Sequence, residues 1–210
     1  VAEFNPFDDV KAGSQQNDGR KCFIERETID RVIEACPNAE WRVIVALARY
    51  GGLRCPSEII NLRWGDIDWD DGRVKITSPT TERHEGKGSR VIPLFPELKP
   101  HLEDAFELAA EGSEFVITRY RRSDANWRTT LTRIIERAGL DPWPKLFQNL
   151  RSSRATELAR EYPGHVAAAW CGHSEKIAQR HYWRVTEEDF QKAVTAPQEP
   201  PEKALQKALQ

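Results

Sequence analysis

The chain contains no methionine, and none of its apolar runs approaches the roughly 18 residues that a membrane-crossing helix needs. Its start, Val-Ala-Glu-Phe-Asn-Pro-Phe, has neither a basic stretch nor an apolar core, so no signal peptide is expected there. Without an initiator Met, the chain reads as a piece of a longer protein. Cysteine is sparse. Cys22, Cys36, Cys55 and Cys171 are scattered without a CxxC or a zinc-like pairing, which suits reduced thiols in a cytoplasmic protein. Cys171-Gly-His173 is at most half a metal site. Nor is there an excess of positive charge: 31 Lys and Arg stand against 33 Asp and Glu, a net charge of −2, which disfavours a generic nucleic-acid binder.

What is present is unevenly placed. From Arg119 to Arg160 ten Lys or Arg face four Asp or Glu, a local excess of six, whereas the tail is acidic through Glu187, Glu188, Asp189, Glu199 and Glu202. A near-neutral total can thus conceal one basic face of the kind phosphate binding requires. The plain alternative is a solvated helical surface. At 210 residues the chain is long enough for one sizeable domain, and 30% charged residues suit a soluble, largely helical protein.

Residues 1–20 are polar and aperiodic and read as a linker; 21–194 read as the folded domain and 195–210 as a tail. Thr28 is expected to cap a helix through Ile29, Val32, Ile33 and Cys36, ended by Pro37. A more buried helix is expected over Trp41–Tyr50, stopped by Gly51-Gly52, and another opening at Ser57 and Glu58. Between Asp66 and Leu94 the hydrophobic period changes to two, giving strands at Arg73–Thr77 and Arg90–Leu94, the second an edge strand because of Pro93. Further helices follow from Pro96 to Ala109, from Asn126 to Ala138 with Gly139 as its C-terminal stop, through Arg151–Arg160, around His165–Trp170 and over Glu187–Val194. The expected fold is mainly α with one small antiparallel β-sheet.

Four residues stand out in order: Arg54 in Gly51-Gly-Leu-Arg, Arg151 in Gln148-Asn-Leu-Arg, His173 in Gly-His-Ser, and Tyr182 nine residues later. Arginine forks match the non-bridging oxygens of a phosphodiester, a histidine can donate to the same group, and a tyrosine hydroxyl can serve as covalent nucleophile. Each also has a structural reading: Arg54 paired with Glu58, Arg151 as part of the basic face, His173 as a helix cap, and Tyr182 as packing.

Together with Glu58-Ile-x-x-Leu-x-Trp64-x-Asp-Ile-Asp and Arg90-Val-Ile-Pro-Leu, this order resembles the C-terminal catalytic domain of the tyrosine recombinase (phage integrase) family over roughly Phe23–Phe190. The resemblance implies that Tyr182 attacks a DNA phosphorus to give a 3′-phosphotyrosyl bond, with Arg54 and Arg151 cradling the phosphate and His173 donating a hydrogen bond. It implies no metal, no ATP and no other cofactor. The linker then joins a smaller DNA-clamping domain, the partner is double-stranded DNA, and the active assembly is a homo-oligomer, a tetramer on paired sites, with the isolated fragment a monomer.

Three places depart from the family pattern. Gln148 stands where the family has histidine; glutamine can donate to a phosphate oxygen but cannot take the tyrosine proton. His181, beside Tyr182, is a conceivable substitute. Thr80 occupies the expected place of the leaving-group lysine, for which Lys87 on the Gly-flanked loop tip is the replacement, the alternative being a solvated lysine. Glu58 lies one residue farther from Arg54 than the pattern expects. Gln148 and Thr80 keep a rival open: a recombinase-like domain that binds DNA and cuts weakly or not at all. A type IB topoisomerase-like enzyme and a helical domain that binds no nucleic acid are the remaining alternatives.

Overall fold

The computed structural model describes residues 18–79, 88–122 and 125–173. The elements, in chain order, are α1 (Arg26–Glu34), α2 (Ala39–Arg49), β1 (Ile67–Asp68), β2 (Arg73–Thr77), β3 (Ser89–Pro93), α3 (Lys99–Glu107), α4 (Trp127–Arg137), α5 (Leu146–Glu161) and α6 (Gly164–Cys171). Short 3-10 turns occupy Asp18–Arg20 and Trp64–Asp66.

α2 is the centre of the core. Its apolar residues lie all round the helix, and every residue from Val43 to Arg49 is buried, so the helix must be covered on all sides. α1, α3 and α5 cover it. Asn38 starts α2, its side-chain oxygen accepting the Trp41 amide at 3.0 Å, and Asn126 does the same for α4 at the Thr129 amide. Where Thr28 was expected to cap α1, the helix begins three residues earlier behind Glu25, with no side-chain cap. Burial of Ile29, Val32 and Ile33 decides its position instead. Gly139 adopts the expected left-handed turn after α4 (φ 70°).

The sheet is antiparallel with order β1-β2-β3. β2 alternates as its sequence predicts, burying Val74 and Ile76 and exposing Arg73, Lys75 and Thr77. Pro93 pairs with Arg73 on the edge strand. The helix expected to open at Ser57 is absent as a regular element: 55–61 form successive turns. Here the Glu58 carboxylate accepts the Arg54 amide at 2.7 Å, so the side chain is committed to the preceding turn.

α5 carries little amphipathic pattern because it buries polar residues as well as apolar ones: Asn149, Arg151, Ser152, Ser153, Arg154, Thr156 and Glu157 are all inside. Each needs a partner. Glu157 takes both ends of the fully buried Arg49 guanidinium at 2.6 and 2.8 Å, and Arg49 also donates to the Ile24 carbonyl. Ser153 Oγ accepts the Ile24 amide at 2.8 Å, while Asn149 donates to the carbonyls of Arg20 and Pro144. The entering chain, residues 20–24, is therefore fastened along α5. α5 in turn packs on α6, and α6 on β3.

Candidate active site

The last turn of α6 organises the site. A helix C-terminus presents carbonyls with no intrahelical partner and a partial negative charge. Three consecutive carbonyls at this end each accept from a different arginine: Trp170 from Arg90 Nε at 2.7 Å, Cys171 from Arg151, and Gly172 from Arg54 at 2.6 Å. The arginines come from three separate places, β3, α5 and the turn after α2. Gly172 ends α6 in the left-handed region (φ 68°), which turns the chain so that the His173 amide returns to the Ala168 carbonyl at 3.1 Å.

Glu58 balances these cations. It is buried, and its two carboxylate oxygens accept from Arg54 at 2.6 Å, from Arg90 at 2.7 and 2.8 Å, and from Ser78 Oγ at 2.7 Å. Arg151 stands 3.7 Å away. Burial pushes the carboxyl pKa up, but the Arg90 hydrogen bonds and charge, followed by Arg151 and the Arg54 amide, reverse this and hold it at about 2. Burial and then the Arg54 charge lower the Arg151 pKa, although a guanidinium remains protonated. Arg151 also donates to the Gly52 carbonyl at 2.5 Å. Burial, then the Arg151 charge, lower His173 to about 4, so its imidazole is neutral at physiological pH.

Of the residues expected from sequence, Arg54, Arg151 and His173 meet around this turn. Their exposure differs: 24% of the Arg54 side chain reaches solvent against 5% for Arg151. Gln148 lies on α5 one turn before Arg151, but is exposed and lines a separate groove. Lys87, Thr80, His181 and Tyr182 lie outside the described residues. Cys171 is buried, which raises its thiol pKa.

Two participants have a larger part than the sequence showed. Arg90 was read as the start of a strand. Yet alternation puts it on the same face as the buried Ile92, and a charged residue on an inward face signals a buried partner. Glu58 was read as one pairing option for Arg54, whereas it serves three arginines. No spacing rule could join positions 54, 58, 90 and 151.

The sequence profile of the phage integrase family matches residues 23–189. Tyrosine recombinase XerA of Thermococcus kodakarensis is 30% identical over 181 residues, covering 81% of this chain and 60% of that protein. The chain thus spans under two thirds of that relative's length. Among solved structures, XerA recombinase superposes with a TM-score of 0.66 (19% identity, 85% of this chain and 66% of that one). The Tn1549 transposon integrase, solved with transposon right end DNA, gives 0.68 (15% identity, 92% and 71%). A lambda integrase dimer bound to a COC′ core site gives 0.62 (21% identity, 85% and 65%). These likenesses establish the catalytic-domain fold, and with the profile spanning most of the described core, the chain belongs to the phage integrase family of tyrosine recombinases.

Proposed function

We propose that this chain is the catalytic part of a site-specific DNA recombinase that cleaves and rejoins duplex DNA through a 3′-phosphotyrosyl intermediate. The observation that carries the reading is the convergence of Arg54, Arg151 and His173 on the end of α6. Arg54 offers a partly exposed guanidinium edge to the non-bridging oxygens, and Arg151 adds a second positive charge from a desolvated position where its field is little screened. His173, neutral, donates an N–H. Such preorganised donors stabilise the charge that accumulates on a pentacovalent phosphorane.

In the proposed step the Tyr182 hydroxyl oxygen bonds to phosphorus, and the bond from phosphorus to the 5′-oxygen breaks. The tyrosine proton leaves to a base, and Lys87 supplies a proton to the departing 5′-oxygen. The phosphodiester energy is conserved in the protein–DNA bond, and attack by the 5′-hydroxyl of a partner strand reverses the step. Residues 1–20 act as the link to a preceding DNA-clamping domain, 21–194 as the catalytic domain and 195–210 as the tail. Duplex DNA is the partner, with four protomers on paired sites, the segment 187–194 docking on a neighbour, and the work done in the cytoplasm.

A second reading is favoured by Gln148. Exposed at the start of α5, it cannot accept the tyrosine proton, and losing a general base costs about 10²–10⁴ in rate. Covalent trapping on a pool of nicked duplexes decides between the two. The recombinase reading expects an adduct with wild type that disappears with Tyr182→Phe. An adduct only with Gln148→His means a DNA-binding domain with impaired chemistry. Persistence of the adduct in Tyr182→Phe eliminates the nucleophile assignment.

A further inference from the structure

Away from the arginine cluster the chain concentrates charge of the opposite sign. Residues 64–72 carry four aspartates, and residues 100–112 carry Glu103, Asp104, Glu107 and Glu111, with no Lys or Arg in either stretch. The fold joins the two stretches through their aromatic residues. Phe106 of α3 stands edge-on to Trp64 with ring centroids 5.0 Å apart, and Trp69 of the β1–β2 turn lies 6.1 Å from the same ring. Trp64 is buried, whereas Phe106 is 53% exposed and Trp69 half-buried. A single apolar side chain on a surface needs no explanation, but touching rings bordered by polar groups mark a contact surface.

The border is acidic and the turn is fixed. Asp68, Asp70 and Asp71 are exposed around Trp69, while Glu103 and Glu107 are exposed on α3, one turn before and directly after Phe106. Asp68 accepts the Asp71 amide at 2.8 Å and Gly72 takes a left-handed backbone (φ 62°), so the turn presents Trp69 with little freedom left to lose on binding. Three cations stand at the margin. Arg63 pairs with Glu114, Lys99 with Glu103 at 3.7 Å, and Arg73 faces Asp68 in the strand register. The patch lies at the far end of the sheet from the catalytic arginines. Arg73 pairs with Pro93 beside the turn, whereas Arg90 pairs with Ile76, three residues or roughly 10 Å further along the strand.

We infer that this aromatic and acidic face docks a short Lys- and Arg-rich segment of another protein that carries an apolar side chain among its cations. Charge decides the class of partner. Five exposed carboxylates repel nucleic acid and anionic lipid, and a twofold pairing of two copies sets the same acids against one another. A basic segment reverses each of these. Its cations meet the carboxylates at the rim, and its apolar side chain covers Phe106 and Trp69, giving an apolar centre within a charged border. A partner held here leaves the Arg90 end of the sheet uncovered.

The test uses the whole chain and a short fluorescein-labelled peptide of Lys, Arg, Leu and Phe, with binding followed by fluorescence anisotropy. A second peptide has Ser in place of Leu and Phe. Phe106→Ser and a combined Asp70→Asn, Asp71→Asn variant are each expected to weaken binding by about tenfold, and the Ser peptide to bind more weakly by a similar factor. Leu108→Ser, an apolar change at the end of α3 (Leu108 is 72% exposed), and Glu136→Gln, at an exposed acid of α4, leave binding unchanged. Thermal midpoints verify that every variant is folded. Absence of saturable binding below about 1 mM overturns the inference, as does wild-type affinity in both patch variants. Equal losses in the two controls also overturn it, since they report only apolar area or net charge. If sedimentation shows that Phe106→Ser dissociates a wild-type dimer, the occupant is a second copy and the basic segment falls. None of these outcomes bears on the recombinase reading, which rests on the other end of the sheet.

Discussion

At the scale of single residues, the site rests on positions whose chemistry is ordinary and whose placement is not. Gly172 is the clearest. Its left-handed backbone ends α6, and a Cβ there would lie 3.1 Å from the Arg90 guanidinium. Any side chain must both adopt an unfavourable backbone and displace the arginine that holds the Trp170 carbonyl. Gly172→Ala is expected to lower unfolding free energy by about 1–2 kcal/mol, read from denaturant midpoints. Gly139 is the comparison: it shares a positive φ (70°), and its nearest atom is the end of the Arg31 side chain at 3.6 Å. Gly139→Ala should therefore cost less; a larger loss there would contradict the role given to Arg90.

At the scale of elements, α5 is the beam on which the site hangs. One of its faces fastens residues 20–24 through Asn149 and Ser153, and the same helix presents Arg151 to α6. Residues 20–24 are therefore part of the site's scaffold. Removing both side chains with Asn149→Ala and Ser153→Ala orphans one buried group, the Ile24 amide, and leaves the carbonyl of the exposed Pro144 without its Asn149 partner. A loss of about 1–3 kcal/mol per orphaned group is expected. Amide hydrogen exchange at Cys22 and Ile24 should rise, with little change at Val43–Ala48 in α2. Uniform change across both regions would mean that the segment is not fastened at these two points.

At the scale of the whole molecule, stability is tied to pH through the same cluster. Glu58 has its folded pKa lowered from 4.5 to about 2, so its contribution is complete above the unfolded value and is lost as pH falls through the folded one. His173 has its folded pKa lowered from 6.5 to about 4; across that interval the unfolded chain binds the extra proton, so stability again rises with pH. Both act in one direction, and acid should destabilise the fold progressively from about pH 6 downward. Glu58→Gln is expected to cost about 3–5 kcal/mol near neutral pH, because three arginines lose their buried counter-ion. It should also flatten the acid limb below 4.5 in denaturant unfolding across pH, the limb that Glu58 supplies. An unchanged limb would place the acid sensitivity elsewhere.

Helix periodicity, the switch to alternation in β2 and the proline at the edge of β3 determined the mainly helical fold with a small sheet, because each is a short-range pattern read within one element. Local order also marked Arg54, Arg151 and His173. Tertiary structure alone decided what surrounds them. Arg90 of β3 and Glu58 of the turns at 55–61 lie 32 residues apart and meet only in the folded chain, and Asn149 finds Arg20 across 129 residues. The turns at 55–61 went the same way: Glu58 has the local signature of a helix start, yet its carboxylate is worth more as the buried counter-ion of three arginines than as a helix residue. Burial of charge is settled by long-range partners, and those become neighbours only in the folded chain.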